Sequence, residues 1–184
     1  MAVLLLPLVT GCASSPVTRP REFLDETNGL TLFIVHSPLV FARPRTDVAV
    51  NARDYATLVA VAEDRSGKYA IWLISHRWST VDPRFAGQPD PQPSTLHLTA
   101  DDRELVLHPT SPTPTLLENR NELFAPRQSL SAAYALDASM LRFIASAHLL
   151  SLRYGDDQVP LAYTLWDDQR AAIQALLEQS PLAH

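Results

Sequence analysis

Two consecutive apolar runs joined by a short turn constrain the fold of this 184-residue chain more than any other feature. In residues 54–63 and 69–78, both alternating sets of side chains are largely apolar. Such runs are typical of β-strands that are covered on two faces. Between them, Asp64-Arg65-Ser66-Gly67 can form a turn, because glycine readily adopts a positive φ. The sequence therefore predicts a central β-hairpin.

A second hairpin is predicted around Asp101-Asp102. If these two residues form the tip, Leu98 lies opposite Leu105, and the next pair of leucines is also matched. One face of this hairpin is then apolar, and the other carries His97, Glu104 and His108.

The remaining pattern brings the prediction to about eight strands in all, with two short helices in the C-terminal third of the chain. Asp137 can cap a helix over 138–147, and Asp167 or Asp168 can cap a last helix with an apolar stripe. This order favours a mainly β (β-rich α+β) fold, an antiparallel sandwich or curled sheet with helices packed on it. Further strands are predicted at 30–35, 39–42, 131–136, 149–154 and 161–166.

Charge and cysteine content exclude several function classes. The formal net charge is -5 and Lys68 is the only lysine, so we expect no nucleic-acid partner. Cys12 is the only cysteine, which excludes an internal disulfide and a Cys-ligated zinc site in the body of the chain. Motifs of the G-x-S-x-G, P-loop and H-E-x-x-H types do not occur in the sequence.

The N-terminal residues resemble a bacterial lipoprotein signal. The apolar run Ala2–Val9 is too short to span a membrane, and Val9-Thr10-Gly11-Cys12 resembles a lipobox, although no Lys or Arg precedes the run. The resemblance implies a signal peptide over 1–11, a lipidated Cys12 with a tether over 12–21, and one domain over 22–184. Because Ala13 follows the cysteine, the corresponding sorting rule implies the periplasmic face of the outer membrane.

The stretch from Phe23 to Asp82 resembles a group of uncharacterised proteobacterial envelope lipoproteins, and Arg142 to Trp166 extends the similarity more weakly. The resemblance implies an envelope location and a β-rich domain, and it transfers no active site. The segments that carry it are Phe23-Leu24-Asp25, Pro38-Leu39-Val40-Phe41-Ala42-Arg43, Asn51-Ala52-Arg53-Asp54-Tyr55 and Trp78-Ser79-Thr80-Val81-Asp82.

Two groups of side chains are candidate sites. His97, Glu104 and His108 could hold zinc, since imidazoles and a carboxylate are zinc ligands; a solvated polar face is the simpler interpretation. Trp72 and Trp78, with His76 beside them, could line a ligand pocket, and aromatic residues at alternating strand positions otherwise belong to a core.

The expectation from the sequence is a membrane-anchored envelope lipoprotein that acts as a non-enzymatic binding or assembly module, with an envelope protein as its partner and no cofactor. Two alternatives stay open. One is a metal-dependent or His-based hydrolase that uses the His97, Glu104 and His108 face. The other is a small-ligand binder with an aromatic-lined pocket.

Overall fold

A computed structural model describes residues 19–26, 29–81, 94–110, 117, 121–127, 129–155 and 162–180. These residues form ten strands and two helices, and neither helix is long and apolar enough to cross a membrane. The strands are β1 (Arg21–Asp25), β2 (Leu30–Ile34), β3 (Leu39–Pro44), β4 (Arg53–Arg65), β5 (Lys68–Ser79), β6 (Leu96–Ala100), β7 (Arg103–Leu107), β8 (Leu130–Leu136), β9 (Leu150–Tyr154) and β10 (Tyr163–Asp167). The helices are α1 (Ala138–Ser146) and α2 (Arg170–Gln179).

The predicted signal peptide, Cys12 and most of the predicted tether lie outside the described residues, as does the proline-rich segment 82–93. β1 begins at Arg21, one residue before the predicted domain boundary. The sequence pattern did not predict this strand. Its residues are mostly charged or exposed, and only Phe23 packs against the core, so no apolar alternation marks it.

The central hairpin is confirmed. β4 and β5 pair antiparallel along their whole length, from Asp54 opposite Ser79 to Arg65 opposite Lys68. Ser66 and Gly67 form the two-residue turn with φ of 53° and 81°, the left-handed backbone that such tight hairpins require. Residues 56–62 are all buried, as expected for a strand covered on both faces.

The sheet branches at β4. One edge of β4 pairs with β5, whereas the other edge pairs with β2 near its end and with β3 near its start. From β3 the order continues through β10, β9 and β6 to β7, and β8 pairs with the outer edge of β5. A single bridge between Pro109 and Tyr134 brings the chain after β7 against β8. The fold is therefore a β-rich curled antiparallel sheet that stays open, which confirms the predicted class.

The β6–β7 hairpin has the predicted register, with Leu98 opposite Leu105 and Leu96 opposite Leu107. All four leucines are buried, because the apolar face of the hairpin points into the core. Asp101 at the tip adopts a φ of 54° and accepts hydrogen bonds from two backbone N–H groups in the segment that leads into β9.

The two helices predicted in the C-terminal third of the chain are confirmed. Asp137 caps α1 by accepting a hydrogen bond from the Met140 N–H at 2.7 Å. The predicted cap of α2 is wrong by one or two residues: Asp167 ends β10, and the N-cap is Gln169, which makes no side-chain capping bond. Asp168 instead binds the backbone and guanidinium of Arg170. The helices pack on each other, and their buried residues include the predicted stripe Ala172, Ile173, Leu176 and Leu177.

Candidate functional site

The aromatic side chains predicted to line a ligand pocket serve packing contacts in the described structure. Trp78 stacks on Tyr55 with 4.2 Å between ring centroids and 13° between planes. Trp72 donates its indole N–H to Glu63 at 3.0 Å and packs against the core. The Trp78 indole N–H is buried and has no hydrogen-bond partner among the described residues.

His76 lies on the same face of β5 and is fixed at both ring nitrogens. Its Nε2 lies 3.1 Å from the Leu123 carbonyl oxygen, which can only accept, so Nε2 carries the proton. Its Nδ1 lies within hydrogen-bond distance of the Ser131 hydroxyl, at 2.8 Å. With 1% of its surface exposed, the ring joins β5, β8 and the segment around Leu123, and it is not presented to a substrate in solvent.

Arg153 on β9 contacts two of the three side chains that were predicted to hold a metal. Its Nη2 lies 3.0 Å from His97 Nδ1 and 3.0 Å from Glu104 Oε1, so it joins these two predicted ligands. His108 is not brought to them and lies with its Nδ1 3.4 Å from the Thr95 hydroxyl. Across the described ranges, no three His, Cys, Asp or Glu side chains are placed to hold a metal.

The same arginine sets the charge state of Glu104. Partial burial raises the pKa of this carboxyl, but the hydrogen bond and charge of Arg153, with a smaller contribution from His97, bring it below its usual range. The face is therefore an ion-paired surface between β6, β7 and β9. The sequence pattern did not predict the role of Arg153, because β6 and β9 are neighbours in the sheet but far apart in the chain.

A buried ionic cluster at the start of β4 was also missed. Asp54 is fully buried and accepts hydrogen bonds from Arg43 at 2.8 Å, from Arg45 at 3.3 Å and from the Ser79 hydroxyl at 2.7 Å. Arg45 also binds the exposed Asp47, and the carboxylates of Asp47 and Asp54 raise the pKa of Arg45 above its usual range. The cluster joins β3, β4, β5 and the loop between β3 and β4.

Aromatic rings continue this cluster into the curled sheet. The Arg43 guanidinium lies 4.6 Å above the Tyr163 ring, which meets the Tyr154 ring edge-on at 5.8 Å. The Arg77 guanidinium lies 4.3 Å from the centroid of the Tyr154 ring, and the Tyr154 hydroxyl lies 2.5 Å from that of Ser75. Cation–π contacts strengthen when they are desolvated, so these rings help to keep arginines inside the fold.

Exposed apolar side chains gather at the same end of the sheet. Val48 and Val50 lie on the β3–β4 loop, with 53% and 87% of their surface exposed, and Val81 follows β5. Trp166 of β10 is 59% exposed, and its ring lies 4.8 Å from the Arg53 guanidinium. We refer to Val48, Val50, Val81 and Trp166 as the apolar patch. Single exposed apolar residues are ordinary, but a group of them marks a surface that can bind a partner or a membrane.

An open groove of about 690 Å³ lies elsewhere, between α1 and α2, and is lined by charged, polar and apolar side chains, among them Arg142, Gln174, Leu177 and Glu178. Neither Trp72 nor Trp78 lines it.

Comparisons with known proteins found no matching family model, no matching curated protein and no matching solved structure.

Proposed function

We propose that this chain is a lipoprotein of the bacterial envelope, anchored through acyl chains on Cys12 at the periplasmic face of the outer membrane. Its β-rich domain acts as a non-enzymatic binding or assembly module. The observation that carries this proposal is the run Ala2–Val9 followed by Thr10-Gly11-Cys12, which has the length of a secretory signal and a lipobox-like end.

The structure is compatible with such an anchor. The first strand begins at Arg21, nine residues after Cys12, so cleavage before the cysteine would remove no described element. Each buried CH₂ of an acyl chain adds about 0.8 kcal/mol of membrane affinity, so several chains on one cysteine hold a domain durably. The apolar patch is a surface through which the anchored domain can contact a partner or the membrane.

Metabolic labelling with a radioactive fatty acid tests the anchor. We expect the wild-type protein and a Ser15→Ala control to incorporate label and to fractionate with the outer membrane. Cys12→Ala should incorporate none, because Cys12 supplies the only thiol in the chain. Equal labelling of wild type and Cys12→Ala, or an unlabelled wild type that keeps its leader, would refute the proposal.

A further inference from the structure

We infer that the apolar patch docks on the phospholipid surface that holds the anchor, so that the domain lies against the membrane. This inference rests on the acylation of Cys12 proposed above. It draws on three independent features of the chain: the chemistry of the patch, the direction from which the chain enters β1, and the length of the segment between Cys12 and Arg21.

The patch has the chemistry of a membrane-contacting surface. Two of its valines, Val48 and Val50, project from a loop that is closed by backbone hydrogen bonds, from Arg45 N–H to the Ala52 carbonyl at 2.8 Å and from Ala49 N–H to the Arg45 carbonyl at 3.1 Å. Aliphatic tips beside a tryptophan suit the boundary between headgroups and acyl chains, where Trp is enriched. The charges of the loop, Arg45 and Asp47, pair with each other, so contact with lipid leaves neither without a counter-charge.

The direction of β1 puts its first residue, Arg21, at the end of the strand nearer to the patch. Arg21 lies opposite Ile34, which in turn lies opposite Val61 of β4. From there β1 runs toward the β4–β5 turn, because Asp25 pairs with Leu30. Residues 19 and 20, which precede Arg21, therefore lie on the side of β1 that faces the end of the sheet where β4 starts and the patch lies.

The length of the segment fits the same arrangement. From the level of Arg21, which matches Val61, Trp166 lies four to five strand residues on, or about 15 Å. Arg53 at the start of β4 lies eight residues on, or about 26 Å. The nine residue steps from Cys12 to Arg21 span at most about 30 Å when fully extended. An extended segment thus brings an acylated Cys12 to the level of the patch, and patch and anchor can reach one bilayer surface together.

Tryptophan quenching in vesicles tests the docking. The purified acylated protein is reconstituted in vesicles of phosphatidylethanolamine and phosphatidylglycerol that contain phosphatidylcholine brominated near the top of its acyl chains. We expect quenching in the wild type and loss of most of it in Trp166→Phe, because Trp72 and Trp78 are held in packed contacts. Val50→Asp should also reduce quenching, whereas Val106→Asp, on the exposed side of the distant strand β7, should not.

Deletion of residues 14–18 tests the geometry. It leaves four residue steps between Cys12 and Arg21, or about 13 Å, which is shorter than the distance to the level of Trp166. We expect this variant to remain acylated and to lose quenching. Quenching that does not depend on Trp166 or survives the deletion, in protein shown by mass spectrometry to be acylated, overturns the docking and leaves the anchor intact. A mass spectrum without acyl chains overturns the anchor, and the docking falls with it.

Discussion

Replacing Asp54 by asparagine keeps the size of the side chain and removes the charge that Arg43 and Arg45 both contact. Asp54 is fully buried, and the side chains of the two arginines are only 13% and 20% exposed. In the variant, these two positive charges remain close to each other with little water to solvate them. We expect the folded state to lose stability because the unfolded chain solvates both arginines freely.

The size of this loss in the free energy of unfolding follows from the burial of the cluster. Removing one partner of a buried ion pair costs about 3–5 kcal/mol, since the other charge stays buried. The lower end applies here, because both arginines keep some solvent contact and Arg45 retains Asp47. A loss of about 3 kcal/mol is a large part of a typical stability of about 5–15 kcal/mol. It corresponds to a fall in Tm of about 10 °C for a domain of this size.

Urea unfolding followed by far-UV circular dichroism measures the effect, with Asp47→Asn as the matched control. Asp47 contacts the same Arg45, but its side chain is 63% exposed, and exposed ion pairs contribute about 0–1 kcal/mol. The two variants should therefore differ by about 2 kcal/mol or more in free energy of unfolding. Equal losses in both variants would show that burial of Asp54 does not set the strength of this cluster.

Two further substitutions test the turns. Gly67→Ala places a side chain at a φ of 81° and is expected to cost about 1 kcal/mol in urea unfolding; an unchanged midpoint would contradict the left-handed turn. At the β6–β7 tip, hydrogen bonds from the Leu149 and His148 N–H groups hold the pKa of Asp101 below its ordinary value of 3.8. Because the pKa of Asp101 is lower in the folded than in the unfolded chain, its carboxylate stabilises the fold at pH values above 3.8. That stability is lost as the pH falls through the folded-state pKa. The stability advantage of wild type over Asp101→Asn should therefore shrink below pH 3.8 in urea unfolding, and a constant advantage would refute this role.

The hairpins could be predicted from sequence because their determinants are local. Each has a turn that accepts positive φ between two apolar runs, and a short turn fixes which residues face each other. The branching of the sheet at β4 could not be predicted in the same way. It depends on β2 and β3 sharing one edge of a long strand, and no turn chemistry specifies that arrangement.

The candidate site residues likewise divide into those placed by a local turn and those placed by contacts between distant strands. His97 and Glu104 were correctly placed on one face, since that follows from the hairpin register. Arg153 and the Asp54 cluster depend on contacts between strands that are not joined by a tight turn. A carboxylate at the start of a strand is normally exposed, so nothing in the sequence around Asp54 distinguishes a buried ion from a solvated one.

A buried ion cluster is a poor way to stabilise a fold, because apolar residues of similar volume often do as well or better. What such a cluster provides instead is a fixed orientation of the backbone segments that it joins. Arg45 binds Asp54 and Asp47 through its side chain and the Ala52 carbonyl through its backbone N–H, so the β3–β4 loop is tied to the sheet at its base. Apolar packing at that base would bury similar area without fixing the course of the loop. We therefore infer that the cluster orients the loop, and that it holds Val48 and Val50 outward against the ordinary tendency of valine to turn inward.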